Sequence, residues 1–530
     1  KAFVSTPGAR LFARLVDTRS ALLVIVATAV WLAATAGVRP LMLPDEGRYV
    51  GIAWEMLTSG DWLVPRLDGL PFFHKPPLFY WLTSLSLGLF GSHQLAARMA
   101  SLLAATLAAG GMYLFARRYR GSQVATIAVV VLLTQPIFYA AAQFANLDML
   151  VAGLISLAIL SGADALLRLE KGNPYHAALA RAYGFTALGI LAKGLIGIVL
   201  PAGVLLLWLL WRRSWRFLPT MLWPSGCLLL LLIALPWFFW MQHLYPGFFD
   251  YFVVYHHFQR FSETGFYNQV AFWFYIPVIL LCALPWSPWF ARVFTKTCWT
   301  DKDASGLRSL MAIWLGVIVV FFSLPSSKLV GYILPAIPPF AYLIAESLSI
   351  WLDRNRVQAQ RWYAGTLAVA VVACPALVVG VALADKVSAK PLAATAAVIF
   401  QPQDQLLMVD EYQYDLPFYL QSRRPAWVVS DWNNPEIPRR DNWRKELADA
   451  GKFESASRQA VLLSSAQLGE QLCRPDARVL WIWGRAQATA FLPWLTEQPP
   501  FGTSGKHVMW RLTPETLSRL PLCSGKPRNG

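Results

Sequence analysis

Long apolar runs separated by short polar segments fill most of the chain before residue 400. Stretches such as 228–235 and 311–324 are apolar on every side, so they present no polar face to water. A helix of this kind is stable only where lipid or protein surrounds it. The pattern therefore predicts a polytopic α-helical membrane protein.

The apolar runs predict about eleven transmembrane helices, or about thirteen if proline-interrupted stretches hide a further pair. Residues 78–91 are too few to cross a bilayer comfortably, and they directly follow Pro76-Pro77. We therefore expect this stretch to lie along the membrane surface. The predicted spans are 21–38, 94–116, 123–142, 148–168, 182–193, 195–211, 217–240, 269–291, 307–324, 329–351 and 363–385.

Basic residues cluster between these spans, and such loops are usually retained in the cytoplasm. If all the clusters lie in the cytoplasm, an even number of spans must separate each cluster from the next. The N-terminus is then cytoplasmic, and the loops 39–93 and 241–268 and the C-terminus lie outside. The clusters are 10–19, 117–120, 168–171, 212–216, 292–302 and 354–361.

The composition changes after residue 401, where short runs typical of strands alternate with helical patterns. This alternation predicts a small α/β domain. We therefore divide the chain into a membrane domain, 1–400, and an α/β domain, 401–530. The second domain lacks a Gly-rich phosphate loop, so we expect it to cover or modulate a site. If it lies outside the cytoplasm, Cys473 and Cys523 could form a disulfide.

Composition and charge narrow the class of protein further. Of 530 residues, 56% are hydrophobic and only 14% are charged, against roughly 25% charged in soluble proteins. This deficit excludes a disordered chain, a coiled coil and an ordinary cytosolic enzyme. The net charge of +16 is explained by the cytoplasmic bias of basic loops. Because those residues form short clusters between spans, a nucleic-acid partner is not expected.

Two adjacent carboxylates, Asp45 and Glu46, follow the first span directly. Carboxylates near lipid are costly unless they are paired or functional. On a helix, Asp45 and Tyr49 share one face, whereas Glu46 points elsewhere. One carboxylate can therefore serve a site while its neighbour pairs with Arg48 or Lys75. A salt-bridged loop cap is the alternative explanation.

Further polar residues fall on the same predicted outer face. Asp148 begins a span there, Lys193 lies in a tight turn, and Arg260 lies in an aromatic-rich loop, with Lys328 in another loop. These cations lie on the predicted outer side, so the preference of basic residues for cytoplasmic loops does not explain them. The pattern predicts a site at the outer membrane interface where carboxylates face clustered cations. Such cations are suited to holding phosphate groups.

Several motifs resemble those of the bacterial lipid A aminoarabinose transferases, in the protein O-mannosyltransferase-like branch of the GT-C glycosyltransferases. They are Pro44-Asp45-Glu46-Gly47-Arg48-Tyr49, Ser59-Gly60-Asp61-Trp62, His74-Lys75-Pro76-Pro77, Ala192-Lys193-Gly194 and Ser327-Lys328-Leu329. The resemblance implies a GT-C membrane domain with a periplasmic domain, in the bacterial inner membrane. It also implies transfer of 4-amino-4-deoxy-L-arabinose from undecaprenyl phosphate to lipid A phosphates, which confers resistance to polymyxin.

The resemblance also implies roles for single residues. Asp45 matches the family's catalytic aspartate. Asp148 matches a second acidic position and is also expected to be catalytic, with Glu46 in support. His74 stands where an acid often precedes Lys-Pro. It could bind a divalent metal, although a lone histidine is more often simply hydrogen-bonded. The positions expected around the donor phosphate and sugar are Arg48, Tyr49, Lys75, Lys193, Arg260, Lys328 and Tyr332.

A lipid-linked donor needs no nucleotide-binding motif, and none is visible. With a single essential carboxylate, we expect direct displacement with inversion, in which Asp45 removes a proton from the acceptor or orients it. Transfer of another prenyl-linked sugar, as in protein O-mannosylation, is the first alternative. A transporter is the more distant alternative, because a transporter would have charged residues in the middle of its spans.

Overall fold

The structure is a computed structural model that describes residues 21–259, 269–300, 306–473, 478–520 and 523, with the main chain alone at 255–259. The chain divides into two compact units. The first comprises Lys1–Arg39, Arg98–Trp240 and Asn268–Ala382, and the second comprises Pro40–Ala97, Met241–Tyr267 and Leu383–Gly530. Each unit is therefore assembled from segments that are distant along the chain.

The described part of the first unit is almost entirely helical, as its apolar runs predict. Three helices, Gln94–Arg120, Pro224–Leu244 and Arg356–Ala384, continue past its boundaries. The remaining helices are Ala21–Ala33, Ser122–Leu133, Pro136–Ala142, Leu147–Glu170, His176–Lys193, Ile196–Trp211, Trp215–Phe217, Leu218–Met221, Tyr275–Cys282, Ser287–Phe294, Lys296–Thr300, Leu307–Ser323, Val330–Ala336 and Ile337–Arg354.

Five helices in the described ranges are long and apolar enough to cross a membrane, and two bent pairs raise that number to seven if each pair is one span. Shorter apolar helices accompany them. The chain is thus a multi-pass membrane protein, and the count of about eleven to thirteen spans stays a prediction. The five helices are Gln94–Arg120, Leu147–Glu170, Pro224–Leu244, Val330–Arg354 and Arg356–Ala384.

Two of the predicted spans are not straight helices. The span at 123–142 is bent by 69° between Leu133 and Pro136, and the span at 269–291 is bent by 116° between Cys282 and Ser287. Proline explains both breaks, because it has no amide hydrogen and its ring clashes with the preceding turn. Pro136 begins the second helix of its pair, and Pro285 lies in the break of the other.

The second unit combines the loop after the first span with the C-terminal region. The loop forms a helix, Asp45–Ser59, a short hairpin of β1 (Arg66–Leu67) and β2 (Leu70–Pro71), and a helix, Leu78–Phe90. Residues Asp250–Gln259 form a π-helix. This unit is larger than the predicted domain 401–530, because the segment 40–97 packs with the C-terminal region.

The C-terminal region contains a six-stranded sheet of order β5-β4-β3-β6-β8-β7. The strands β5, β4, β3 and β6 are parallel, and β8 and β7 continue the sheet antiparallel. Every residue of β3, the third strand in that order, is buried. The strands are β3 (Gln405–Val409), β4 (Trp427–Val429), β5 (Leu462–Leu463), β6 (Leu480–Arg485), β7 (Gly502–Ser504) and β8 (His507–Leu512).

The predicted α/β alternation is confirmed in this region. The sequence runs 405–409, 426–429, 460–463, 479–483 and 508–512 predict five strands, and each of them overlaps a strand in the structure. The strand β7 was not predicted, because its Gly-Thr-Ser sequence has no apolar alternation. The disulfide Cys473–Cys523 is formed, with the two Cα atoms 5.2 Å apart. The helices are Lys390–Ala396, Leu416–Leu420, Ile437–Arg439, Trp443–Ala450, Ser455–Val461, Ser465–Leu472, Ala488–Phe491, Pro493–Glu497 and Pro514–Ser518.

Specific contacts attach the segment 40–97 to the C-terminal region. The Trp54 indole donates to the carbonyl of Ser422 over 2.8 Å, and Asp68 accepts from the amide of Ala426 over 2.7 Å. Gly47 allows a close approach: a Cβ there would lie 2.9 Å from the Cβ of Tyr414. The helix that begins at Asp45 is thereby held directly against Tyr414.

Candidate functional site

The candidate site in the second unit is built on the first turn of the helix Asp45–Ser59. Asp45 and Glu46 occupy that turn, where the helix dipole favours negative charge. The helix ends at Gly60, whose φ of 77° lies in the left-handed region that glycine tolerates. This helix places Asp45 and Tyr49, four residues apart, on one face, as the sequence spacing predicts.

Arg48 is the centre of this site. It forms ion pairs with Asp45, three residues earlier, and with Glu446 of the C-terminal region. The side chains of Arg48 and Glu446 are only 13% and 11% exposed, whereas that of Asp45 is 37% exposed. The Tyr414 hydroxyl donates to the other oxygen of Glu446 over 2.5 Å. Asp45 is thus the more accessible of the two carboxylates.

The electrostatics of the site keep Arg48 charged. Burial disfavours the charged guanidinium, but the attraction of Glu446, together with that of Asp45, outweighs this cost and raises the pKa of Arg48 well above its usual value. Its Nε is buried and has no hydrogen-bond partner among the described residues. The guanidinium also lies 5.2 Å from the ring centroid of Tyr49. Arg48 is therefore a permanent cation in contact with an accessible carboxylate.

Glu446 and Tyr414 were missed by the sequence reasoning. Glu446 lies 398 positions from Arg48 along the chain, and no local motif connects the two. Its helix, Trp443–Ala450, is capped by Asn442, whose side chain accepts from the amides of the first turn. The only available signal was the expectation that the C-terminal domain covers or modulates a site.

Glu46 differs from its neighbour in environment. Its side chain is fully buried and accepts from the amide of Met42 over 2.8 Å. Asp45 pairs with Arg48 because helical spacing brings residues three apart onto neighbouring positions. The expectation that one carboxylate serves a site while its neighbour pairs with Arg48 or Lys75 stays a prediction.

His74 and Lys75 lie between β2 and the helix Leu78–Phe90, and both are partly buried. The His74 ring lies 4.2 Å from that of Phe72 and 5.9 Å from that of Tyr251. No group of three or more metal-ligating side chains occurs in the described part of the chain. The suggestion of a divalent metal at His74 therefore has no set of described ligands to support it.

The first unit holds a second carboxylate–cation group. Asp148 begins the helix Leu147–Glu170 after the capping residue Asn146, and it forms an ion pair with Lys193. The Lys193 ammonium lies 4.4 Å from the ring centroid of Tyr332. Three residues predicted from separate motifs are thus brought together by the fold.

Lys328 and Arg260 are two further cations that were predicted near the donor. Lys328 is 4% exposed and donates to the carbonyls of Val270, over 3.1 Å, and Pro325, over 2.5 Å. In these contacts it satisfies main-chain oxygens. Arg260 lies outside the described residues. Its predicted place near a donor phosphate stays a prediction.

Comparison with known proteins gives matches in sequence. Residues 74–240 match the family described as dolichyl-phosphate-mannose-protein mannosyltransferase. The chain is 32% identical over 332 residues to an undecaprenyl phosphate-alpha-4-amino-4-deoxy-L-arabinose arabinosyl transferase from Erwinia tasmaniensis, covering 62% of this chain and 59% of the relative. A similarly named protein from Pseudomonas fluorescens is 30% identical, with coverage of 61% and 58%. The chain thus spans less than two thirds of the length of the curated relatives it matches.

Comparison with solved structures extends the likeness over nearly the whole chain. ArnT from Cupriavidus metallidurans bound to undecaprenyl phosphate superposes with a TM-score of 0.78 at 23% identity, covering 93% of this chain and 98% of that one. The archaeal oligosaccharyltransferase AglB from Archaeoglobus fulgidus superposes with a TM-score of 0.52 at 12% identity, covering 96% and 78%. The chain therefore has the GT-C fold, and its residues 74–240 are similar to the dolichyl-phosphate-mannose-protein mannosyltransferase family.

Proposed function

We propose that the chain is a glycosyltransferase that moves 4-amino-4-deoxy-L-arabinose from undecaprenyl phosphate to phosphate groups of lipid A. The reaction would take place at the periplasmic face of the bacterial inner membrane. The observation that carries this proposal is the accessible Asp45 beside the permanently charged Arg48. The names of the relatives support the choice of sugar and of lipid carrier.

The chemistry of the proposed reaction matches these groups. A phosphate oxygen of the acceptor attacks the anomeric carbon, and the bond from that carbon to the oxygen of undecaprenyl phosphate breaks. Negative charge grows on the leaving phosphate, so fixed cations such as Arg48 and Lys75 lower the barrier. The acceptor phosphate is already largely ionised near neutral pH, so Asp45 orients it and stabilises positive charge on the sugar ring.

Glu446 gives Arg48 a second partner in this scheme. Because Arg48 contacts two carboxylates, its guanidinium is held in one position instead of moving with the substrate. We infer that Asp45 is the group that meets the substrate, since it is more exposed than Glu446. We also infer that Asp148 is a second catalytic carboxylate and that Lys193 and Tyr332 bind the donor.

The family match over 74–240 favours a second candidate, transfer of another prenyl-linked sugar such as mannose to a protein. This candidate would leave lipid A unchanged and would glycosylate a periplasmic protein or another glycolipid. Both candidates use the same leaving group and the same Asp45–Arg48 pair, so the acceptor distinguishes them.

Mass spectrometry of lipid A tests the proposal. A Gram-negative strain that lacks its own aminoarabinose transferase, with donor synthesis intact, would express the parent chain, an Asp45→Asn variant or an Asp61→Asn variant. Asp61 is a matched control, because it lies in the same segment, pairs with Arg66 and has the same 37% side-chain exposure. We expect the aminoarabinose mass shift with the parent and the control, and its loss with Asp45→Asn.

Two results would contradict the proposal. An unshifted lipid A from a well-expressed, membrane-inserted parent would move the assignment to the second candidate. Near-full modification by Asp45→Asn would remove Asp45 from the mechanism while leaving the sugar assignment intact.

A further inference from the structure

Three arginine side chains converge on one carboxylate in the first unit. Asp164 accepts hydrogen bonds from Arg118 over 2.9 and 3.1 Å, from Arg168 over 3.0 Å and from Arg181 over 3.3 Å. The Tyr119 hydroxyl donates a further hydrogen bond over 2.7 Å. We call these five residues the Asp164 cluster.

The cluster lies where apolar helices end. Arg118 is in the last turn of the helix Gln94–Arg120, and Arg168 is in the last turn of the helix Leu147–Glu170. Both helices are long and apolar enough to cross a membrane. Since the hydrocarbon layer ends where such helices become polar, the cluster lies at the depth of the lipid headgroups.

The charges in the cluster do not balance. One carboxylate offsets one of three guanidinium charges, so two positive charges are left. Glu170, the nearest acidic residue along the chain, already accepts from both terminal nitrogens of Arg212 over 3.0 Å. The Asp164 side chain is 7% exposed, whereas those of Arg118 and Arg181 are each 51% exposed. The excess charge is therefore carried by guanidinium groups that face outward.

Aromatic residues surround the same end of the helices. The Lys171 ammonium lies 5.7 Å from the ring centroid of Tyr119, which adds a further cation beside the cluster. Tyr175 and Trp223 pack against a buried cluster of Ala165, Ala178 and Leu179, which are close in sequence to Asp164 and Arg181. Tyrosine and tryptophan are enriched at the boundary between hydrocarbon and water. Their presence agrees with a position at headgroup depth.

We propose that the Asp164 cluster binds the phosphodiester of an anionic phospholipid headgroup. A guanidinium presents paired donors that match phosphate oxygens. The side chains of Arg118 and Arg181 are both half exposed, and both bind the same carboxylate, Asp164. Basic pockets between membrane helices are suited to such headgroups. Asp164 orients the guanidinium groups, and the two remaining charges select a lipid with net negative charge over a zwitterionic one. This inference does not depend on the reaction that the protein catalyses.

Native mass spectrometry of the full chain in detergent tests the proposal, with phosphatidylglycerol as the anionic probe and phosphatidylethanolamine as the zwitterionic one. The test variant is Arg118→Gln/Arg181→Gln. The control is Arg213→Gln/Arg216→Gln, which removes the same charge from exposed arginines that are not part of the Asp164 cluster. We expect the test variant to bind phosphatidylglycerol roughly thirtyfold more weakly and the control to change binding less than about threefold.

Several outcomes would overturn the proposal. Equal weakening in both double variants would mean that only general surface charge attracts the lipid. Equal binding of the two lipids by the parent would mean that the cluster selects no headgroup charge. If the test variant does not fold, Arg181→Gln decides, because its hydrogen bond to Asp164 is the longest. It should bind phosphatidylglycerol roughly fivefold more weakly, and unchanged binding would refute the assignment.

Discussion

Replacing Glu446 with glutamine tests how Arg48 is held. Glu446 uses both of its oxygens as acceptors, one for Arg48 and the other for the Tyr414 hydroxyl. Glutamine offers only one acceptor, so its amide NH2 must face one of the two donors. The side chain is 11% exposed, so water cannot relieve the conflict readily. We expect Glu446→Gln to lower the free energy of unfolding by about 2–3 kcal/mol.

Glu454→Gln is the matched control. Glu454 also belongs to the C-terminal region and pairs with an arginine of the segment 40–97, Arg66, over 2.6 Å. Its side chain is 35% exposed, and Arg66 offers the same kind of donor. Because a solvent-accessible ion pair contributes less than a buried one, we expect this partly exposed pair to lose less than about 1 kcal/mol. The two variants therefore differ mainly in burial.

Denaturant titration of the purified protein in detergent would measure both variants, and lipid A modification would report the effect on transfer. The double variant Glu446→Gln/Tyr414→Phe removes the donor that the new amide opposes, so it should recover about 1 kcal/mol relative to Glu446→Gln. Similar losses in the two single variants, or no recovery in the double variant, would refute the reasoning. Unchanged transfer by Glu446→Gln would show that Arg48 needs no second carboxylate.

Three further changes give distinct expectations. Gly47→Ala places a Cβ 2.9 Å from that of Tyr414, so thermal denaturation should show a loss of about 1–3 kcal/mol; an unchanged melting temperature would contradict the close packing. Lys193→Met leaves Asp148 without its cation and should cost about 3 kcal/mol, most of it recovered by Lys193→Met/Asp148→Asn; a double variant as unstable as the single one would disprove the pairing. Burial raises the pKa of Asp415 to about 6, so its contribution to stability is greatest at low pH and is lost as the pH rises from about 4 to 6. Asp415→Asn should make the denaturation midpoint depend less on pH across that range. An unaltered pH profile would count against the assignment.

Local sequence patterns were sufficient to predict much of the fold. Helical and strand periodicity depend on neighbours within a few positions, so the alternation of strands and helices after residue 401 could be predicted from the sequence. The family motifs likewise identified Asp45, Arg48, Asp148 and Lys193 as candidates. Hydropathy did not show whether a predicted span is a straight helix, because prolines such as Pro136 bend a helix without interrupting the apolar run.

Pairing between distant residues was decided only by the tertiary structure. The sequence predicted cations and carboxylates on one face, but it did not show that Arg48 contacts Glu446, or that Lys328 donates to main-chain carbonyls. These partners depend on how the segment 40–97 packs on the C-terminal region and on how the helices of the first unit pack. Hydropathy and local spacing report which residues avoid water, whereas the choice among several possible charge partners depends on distances that only the folded chain determines.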